Sequence, residues 1–153
     1  MRLSPDTLDQ LPTSVARPDH ARDDRAVGIV HFGIGAFHRA HQAWYTDACL
    51  NAGERGWGIC GVSMRSATVG QQLNPQGGLY TLTERAADKA ETRVIGAVRA
   101  VLVARPDRDE IIERLAAPDC HVVSFTVTEK GYCRKADGTL DFDRASEGFY
   151  PIL

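Results

Sequence analysis

The residues best suited to chemistry on a ligand are two glycines two apart, a histidine and an arginine close behind them, and a second arginine farther along the chain. Gly33-Ile34-Gly35 stands between the apolar run Val27-Gly28-Ile29-Val30-His31-Phe32 and a helical pattern that opens at Ala36. A glycine at such a junction lets the backbone turn tightly, and a second lets a phosphate approach with no Cβ in the way. The helix that follows offers unbonded N–H groups and a partial positive charge to an anion. Arg39, near the helix start, adds a cationic contact. Gly33, Gly35 and Arg39 thus form a candidate pyrophosphate cradle. The plainer alternative is a tight turn that only packs a helix on a sheet.

Two departures from the usual G-x-G-x-x-G fingerprint stand out. His38 occupies the third glycine position and is bulky, so the helix must sit differently on the strand or farther from it. The carboxylate expected to hold an adenosine ribose at the end of the second strand is also missing. Glu54 falls before that strand, and Ser63-Met64-Arg65-Ser66 follow it. An arginine beside a serine suits a 2′-phosphate better than a free hydroxyl, because guanidinium pairs bidentately with phosphate. That points to acceptance of NADP beside NAD, although a solvated loop arginine fits equally well.

His38 and His41, three apart in a helical pattern, are expected to share a face. His31 lies ahead of them on a strand end, which leaves no third ligand. They read as polar helix-start residues rather than a metal site. Cys49, Cys60, Cys120 and Cys133 contain no C-x-x-C pair, which argues against structural zinc, and the apolar content argues against a disulfide scaffold. Cys60 and Cys120 are expected to be small buried residues in a reducing, cytoplasmic protein.

The elements that must place these residues alternate strand and helix. After the first strand, Phe37, Ala40, Trp44 and Ala48 recur at helical spacing and predict one helix over 36–52, stopped by Gly53. A second apolar strand is expected over 57–62, giving strand, glycine turn, helix and strand, the pattern of a parallel crossover. A short helix over 66–73 ends at Asn74-Pro75. Strands are expected over 79–83 and 92–98, separated by a charged loop at 84–91, with a further apolar stretch at 100–104. Asp107 and Glu110 stand in capping-box position ahead of a helix whose apolar face is Ile111, Ile112, Leu115 and Ala116. The stretch 121–128 reads as a further strand. Residues 1–26, with Pro5, Pro12 and Pro18, read as an extended lead-in. The class is α/β: a Rossmann-like, mostly parallel sheet with flanking helices, whose ligands lie beyond the C-terminal strand ends.

Length and charge narrow the function. The chain has 153 residues, 43% hydrophobic and 25% charged, with a formal net charge of −2. That balance gives no general attraction to nucleic acid or anionic lipid. No apolar run approaches the ~20 residues of a membrane helix. The first 25 residues show no signal-peptide core.

The run Ile29-Val30-His31-Phe32-Gly33-Ile34-Gly35-Ala36-Phe37-His38-Arg39-Ala40-His41-Gln42-Ala43 strongly resembles the N-terminal signature of the mannitol dehydrogenase family, the polyol-specific long-chain dehydrogenases. Three further blocks fit in order: Trp57-Gly58-Ile59-Cys60-Gly61-Val62, Leu79-Tyr80-Thr81-Leu82 and Val127-Thr128-Glu129-Lys130-Gly131-Tyr132. The last block looks closest to the fructuronate reductase branch. The resemblance implies a metal-free oxidoreductase that moves a hydride between a nicotinamide and a polyol or hexuronate. By position it places Gly33, Gly35, Ala36, Phe37 and Arg39 along the pyrophosphate and adenosine side, and Met64 and Arg65 beside the adenine ribose. Thr128 and Glu129 would lie toward the nicotinamide. Glu129 would stand beside the proton route, or be a strand-end charge satisfied by solvent or by Lys130.

In that family the general base is a lysine in a helical C-terminal domain, assisted by asparagine and histidine. None of that set is found here. The expectation is therefore a dinucleotide-binding domain over 27–153, cut before its catalytic domain, with an incomplete sheet and no turnover alone. Its expected partners are NAD (or NADP) and a small sugar-derived substrate, with no nucleic acid and no membrane. Self-association through an exposed sheet surface is also expected. The alternative is a non-catalytic Rossmann-like binding or regulatory module, which would keep the fold and need no cofactor.

Overall fold

The computed structural model describes residues 2–22, 26–127 and 133–141. At its centre lies a four-stranded, all-parallel sheet of β2 (Val27–Phe32), β3 (Gly58–Ser63), β6 (Val98–Val103) and β7 (Val122–Phe125). The spatial order is β6-β3-β2-β7. The chain therefore moves outward from β2 to β3 and β6, then returns to the far side of β2. The order reverses between β2 and β7, and such a switch point opens a crevice at the C-terminal strand ends.

Helices α1 (Ala36–Ala40), α2 (Gln42–Asn51) and α3 (Thr68–Leu73) belong to the outward crossovers, and α4 (Arg108–Ala116) to the return. Each face of the sheet buries its own apolar set. Ile29, Ala43, Leu50, Ile59, Leu73 and Val101 pack on one side. Val30, Phe32, Cys60, Val62, Leu102 and Ile111 pack on the other. Apart from His31, β2 and β3 carry apolar or small residues on both faces because both faces are covered, as parallel sheets require. Among the described residues strand β7 has one neighbour, β2, and Val122, Val123 and Phe125 are exposed along it.

A second, three-stranded sheet stands beside the first. Strands β4 (Tyr80–Arg85) and β5 (Ala90–Ile95) form an antiparallel hairpin, and β1 (Val15–Ala16) pairs with β5. The lead-in is therefore not merely extended. It contains a 3-10 helix at Pro5–Gln10, and Arg22 donates to the carbonyls of Gly77 and Gly96.

Several expected boundaries differ. The strand expected over 92–98 ends at Ile95, and Val98 begins β6, which absorbs the apolar stretch near 100. Gly96 and Ala97 are the crossing between the two sheets: Gly96 N–H donates to Asp47 Oδ1 at 2.7 Å, and Ile59 N–H donates to the Ala97 carbonyl at 2.9 Å. The single helix expected over 36–52 is broken at His41, whose φ of −121° and ψ of −83° are not helical. Its buried positions are His38, Ala43, Asp47 and Leu50, whereas Phe37 is 67% exposed and Ala48 is exposed. Asp107 precedes α4 but makes no cap; its Oδ2 accepts the Val103 N–H at 2.7 Å, and Glu110 pairs with Arg114 instead.

Candidate functional site

The glycine turn leaves the C-terminal end of β2 at the switch point. Gly33 adopts φ of +103°, a region that side-chain-bearing residues avoid. Its N–H donates to the Val62 carbonyl at 2.8 Å, which ties the turn to the end of β3. Ile34 points into the core at a notch left by Gly61, where a Cβ would come within 2.6 Å of its side chain. Gly35 then caps α1, and among the described residues a Cβ there would meet nothing nearer than the Gly33 carbonyl at 3.8 Å. The first-turn N–H groups of Ala36, Phe37 and His38 have no intrahelical acceptor.

Arg39 lines a groove beside the turn together with Ala36, Gln72, Gln76, Tyr80 and Thr81. The Tyr80 hydroxyl donates to the Arg39 carbonyl at 2.6 Å, and burial pushes its pKa up, so it stays protonated and holds the end of α1. Met64, half-buried, and Arg65, exposed, follow β3 on the same edge of the sheet as the turn. The structure thus brings Gly33, Gly35, Ala36, Phe37, Arg39, Met64 and Arg65 to one end of the sheet. Thr128 and Glu129 lie outside the described residues.

Beneath the turn is a polar cluster that the sequence did not announce. His31 and His38 stack with ring centroids 3.7 Å apart. His31 Nδ1 lies 2.8 Å from Ser124 Oγ, and its Nε2 lies 2.9 Å from Thr126 Oγ1. Gln42 of α2 also reaches Ser124, at 3.3 Å. This set bridges β2, β7 and the helix across the switch point. His38 fills the place of the third glycine by lying flat on His31, so the helix keeps its seat on the sheet. It does not meet His41, which is exposed and stacks on Phe37. The available signal was His31 itself, a polar residue in a strand otherwise buried and apolar.

His38 is 1% exposed, and among the described residues neither ring nitrogen has a hydrogen-bond partner. Burial, with the nearby His31 and Arg39, holds its pKa down at about 3, and burial lowers that of His31 as well. Both rings are therefore neutral in the fold, whereas in the unfolded chain they titrate near 6.5. Below that pH the unfolded chain binds more protons. The stability from these rings is complete above about pH 6.5 and is lost as pH falls toward the folded values, by at most about 1.4 kcal/mol per unit per ring. Urea unfolding at about pH 5.5 is expected to give a free energy about 1–2 kcal/mol below that at about pH 7.5, and His38→Phe to reduce the difference. Equal values at the two pH conditions would contradict a neutral buried stack.

The family model for the mannitol dehydrogenase Rossmann domain matches residues 27–148. The chain belongs to the mannitol dehydrogenase family. It is 46% identical over 134 residues to the uncharacterized oxidoreductase YeiQ of Escherichia coli (strain K12), covering 86% of this chain and 28% of that protein. It is 43% identical over 136 residues to D-mannonate oxidoreductase of the same organism, covering 84% of this chain and 28% of that one. Among solved structures it matches mannitol 2-dehydrogenase from Pseudomonas fluorescens, in a ternary complex with NAD and D-mannitol. There the TM-score is 0.83 at 42% identity, covering 94% of this chain and 30% of that chain. The chain thus spans under a third of each of these proteins, and within the family it is the Rossmann domain. Among its described residues, no helix is long and apolar enough to cross a membrane.

Proposed function

We propose that this chain is the dinucleotide-binding part of an oxidoreductase acting on a polyol or hexuronate, of the mannitol/fructose or mannonate/fructuronate type. The observation that carries the reading is the glycine turn at the switch point, with Gly33 at positive φ and Gly35 clear, among the described residues, of any neighbour that a Cβ would strike. The D-mannitol in the P. fluorescens complex and the name of the E. coli D-mannonate oxidoreductase support the substrate class.

In this reading Gly33 and Gly35 let the pyrophosphate of NAD approach the backbone. The N–H groups of Ala36 and Phe37 and the guanidinium of Arg39 hold its charge. Met64 and Arg65 flank the adenine ribose, and Thr128 and Glu129 complete the nicotinamide side. A nicotinamide bound at the crevice supplies the hydride acceptor or donor. The His31, Ser124 and Thr126 cluster keeps β2 and β7 in register beneath it. The four free cysteines suit a reducing, cytoplasmic setting.

By the family resemblance the general-base lysine belongs to a helical domain, whereas the family model matched over residues 27–148 is the Rossmann domain. Alone, the chain is expected to bind NADH saturably, one per chain, and to give no measurable oxidation of mannitol or reduction of fructuronate. Calorimetric titration with NADH and a spectrophotometric assay check the two halves. An absence of NADH binding would favour a non-catalytic module instead. Robust turnover would show that the base resides within this chain.

A further inference from the structure

A cavity of about 330 Å³ lies between Arg22, Arg99 and Arg114, with Pro5, Val27 and Ala100 completing its wall. Val27 is the first residue of β2 and Arg99 stands at the start of β6, so the cavity lies at the end of the sheet opposite the glycine turn. Its three arginines come from the lead-in, from β6 and from α4, and only the fold brings them together. Among the described residues no carboxylate lines it.

The strands themselves aim Arg99 into this space. Ile59 pairs with Val98 and the next residue, Cys60, with Ala100, so Arg99 is an extra residue in β6. Such bulges re-aim a side chain and gather next to functional sites. The stem of Arg99 then lies over Gly58 of β3, where a Cβ would come within 2.8 Å of its Cγ and 3.1 Å of its Nε. Gly58 pairs with Val27, so the arginine reaches across β3 toward the strand that walls the cavity. Arg22 gives two of its five N–H donors to the carbonyls of Gly77 and Gly96. Those carbonyls fix its guanidinium without neutralising it. Burial, and then the charge of Arg99, lowers its pKa to about 10. Asp47 works against that shift, but its oxygens are taken by the Gly96 N–H, His20 and Asn51. Arg114 meets Glu110 at 3.1 Å, and its side chain is still 36% exposed. Holding guanidiniums together in a half-buried place costs free energy that an anion between them returns. Three forks from three directions suit the tetrahedral oxygens of phosphate better than a planar carboxylate. The volume exceeds that of a bare ion and falls in the range of small-molecule sites, about 300–1,000 Å³.

We propose that this cavity is a second ligand site, which takes the phosphate group of a small phosphorylated metabolite between Arg22, Arg99 and Arg114. No residue of the glycine turn belongs to it, so the proposal stands apart from the dinucleotide reading above. Pro5, Val27 and Ala100 offer the uncharged part of such a ligand an apolar wall.

Calorimetric titration of the whole chain with inorganic phosphate tests it, at an ionic strength held constant with sodium chloride and with NADH present to occupy the glycine turn. One phosphate is expected to bind saturably per chain. Arg114→Gln is expected to weaken it about tenfold, the effect of one lost charge-assisted contact, and to leave NADH affinity unchanged. Arg99→Lys keeps the charge but loses the planar fork, and is expected to weaken phosphate about threefold or more. Arg39→Gln, at the glycine turn, should leave phosphate affinity as it is. Circular dichroism would establish that the variants fold. An absence of saturable phosphate binding would overturn the proposal, because the arginine charge would then be met within the chain itself. Binding weakened by Arg39→Gln and not by Arg114→Gln would overturn it too, by placing the phosphate at the glycine turn. Acetate binding as tightly as phosphate would overturn the assignment to a phosphate group.

Discussion

Gly33→Val is expected to cost both stability and dinucleotide binding, whereas Gly35→Val is expected to cost binding alone. Gly33 sits at φ of +103°, and its missing Cβ would lie 3.1 Å from Thr126 Cβ. A β-branched residue cannot adopt that backbone cheaply, and strain of this kind is worth on the order of 1–3 kcal/mol. The crowding against Thr126 adds to it and pushes β7 away from the turn. Because Gly33 N–H anchors the turn to Val62, relief of the strain also moves the phosphate cradle. Gly35 differs on each count: its φ of −76° is open to any residue, and a Cβ there meets only the Gly33 carbonyl at 3.8 Å. A side chain at that position projects into the space that the pyrophosphate would fill.

The pair separates structure from binding. For Gly33→Val the urea-unfolding free energy should fall by about 2–4 kcal/mol and NADH titration should show no saturable binding. For Gly35→Val the unfolding free energy should stay within about 1 kcal/mol while NADH affinity falls at least about tenfold. If Gly35→Val bound NADH with unchanged affinity, no phosphate would lie over the turn. The cradle would then be only a packing device.

The parts of the fold legible in the sequence are those fixed by local pattern. The runs at β2 and β3, the glycine break between them and the stop at Gly53 are each determined within a few residues, and all appear where the pattern puts them. What the sequence concealed depends on partners far along the chain. The helix after the turn buries His38 and Asp47 rather than Phe37 and Ala48 because His38 finds His31, and Asp47 finds His20 and the Gly96 N–H. A periodicity of apolar side chains cannot register a buried polar one whose partners lie 27 and 49 positions away. The break between β5 and β6 is hidden for the same reason. Its chain reads as one apolar run, but Gly96 and Ala97 are held by Asp47, Arg22 and Ile59, none of them adjacent.

The candidate site divides in the same way. Gly33 could be found from the turn itself, since its φ of +103° demands glycine whatever surrounds it, and Gly35 and Arg39 from their spacing just behind it. The His31 and His38 stack needed the helix to be seated on the strand before it could be seen. Positions of this second kind link elements, and their substitution should be felt well beyond their own contacts.

Asp47 is the strongest such link, and Asp47→Ala is expected to be among the most destabilising substitutions in the chain. The residue is 3% exposed. Oδ1 accepts the Gly96 N–H at 2.7 Å and lies 3.0 Å from His20 Nε2, while Oδ2 accepts from Asn51 Nδ2 at 3.2 Å. One carboxylate thus joins the lead-in, α2 and the crossing between the sheets. It also offsets positive charge: burial and the neighbouring Arg99 lower the pKa of Arg22 to about 10, and Asp47 works against that shift. Removal would leave a buried N–H and a buried imidazole without their acceptor, and two guanidiniums with less compensation. Breaking a buried polar cluster in this way costs about 3–5 kcal/mol. Asp47→Asn keeps one acceptor oxygen for Gly96 and His20, and should lose about half as much. Urea unfolding of the three proteins reads the order directly, and an alanine variant within about 1 kcal/mol of the parent would show that the cluster is not a structural centre. Limited trypsin digestion adds a local reading, since release of the lead-in should speed cleavage after Arg22. If the damage is confined to folding, saturating NADH should restore stability to the alanine variant by the same increment as to the parent, because ligand linkage depends on affinity and concentration alone. A smaller increment would mean that Asp47 also holds α1 and its glycine turn in the geometry that receives the cofactor.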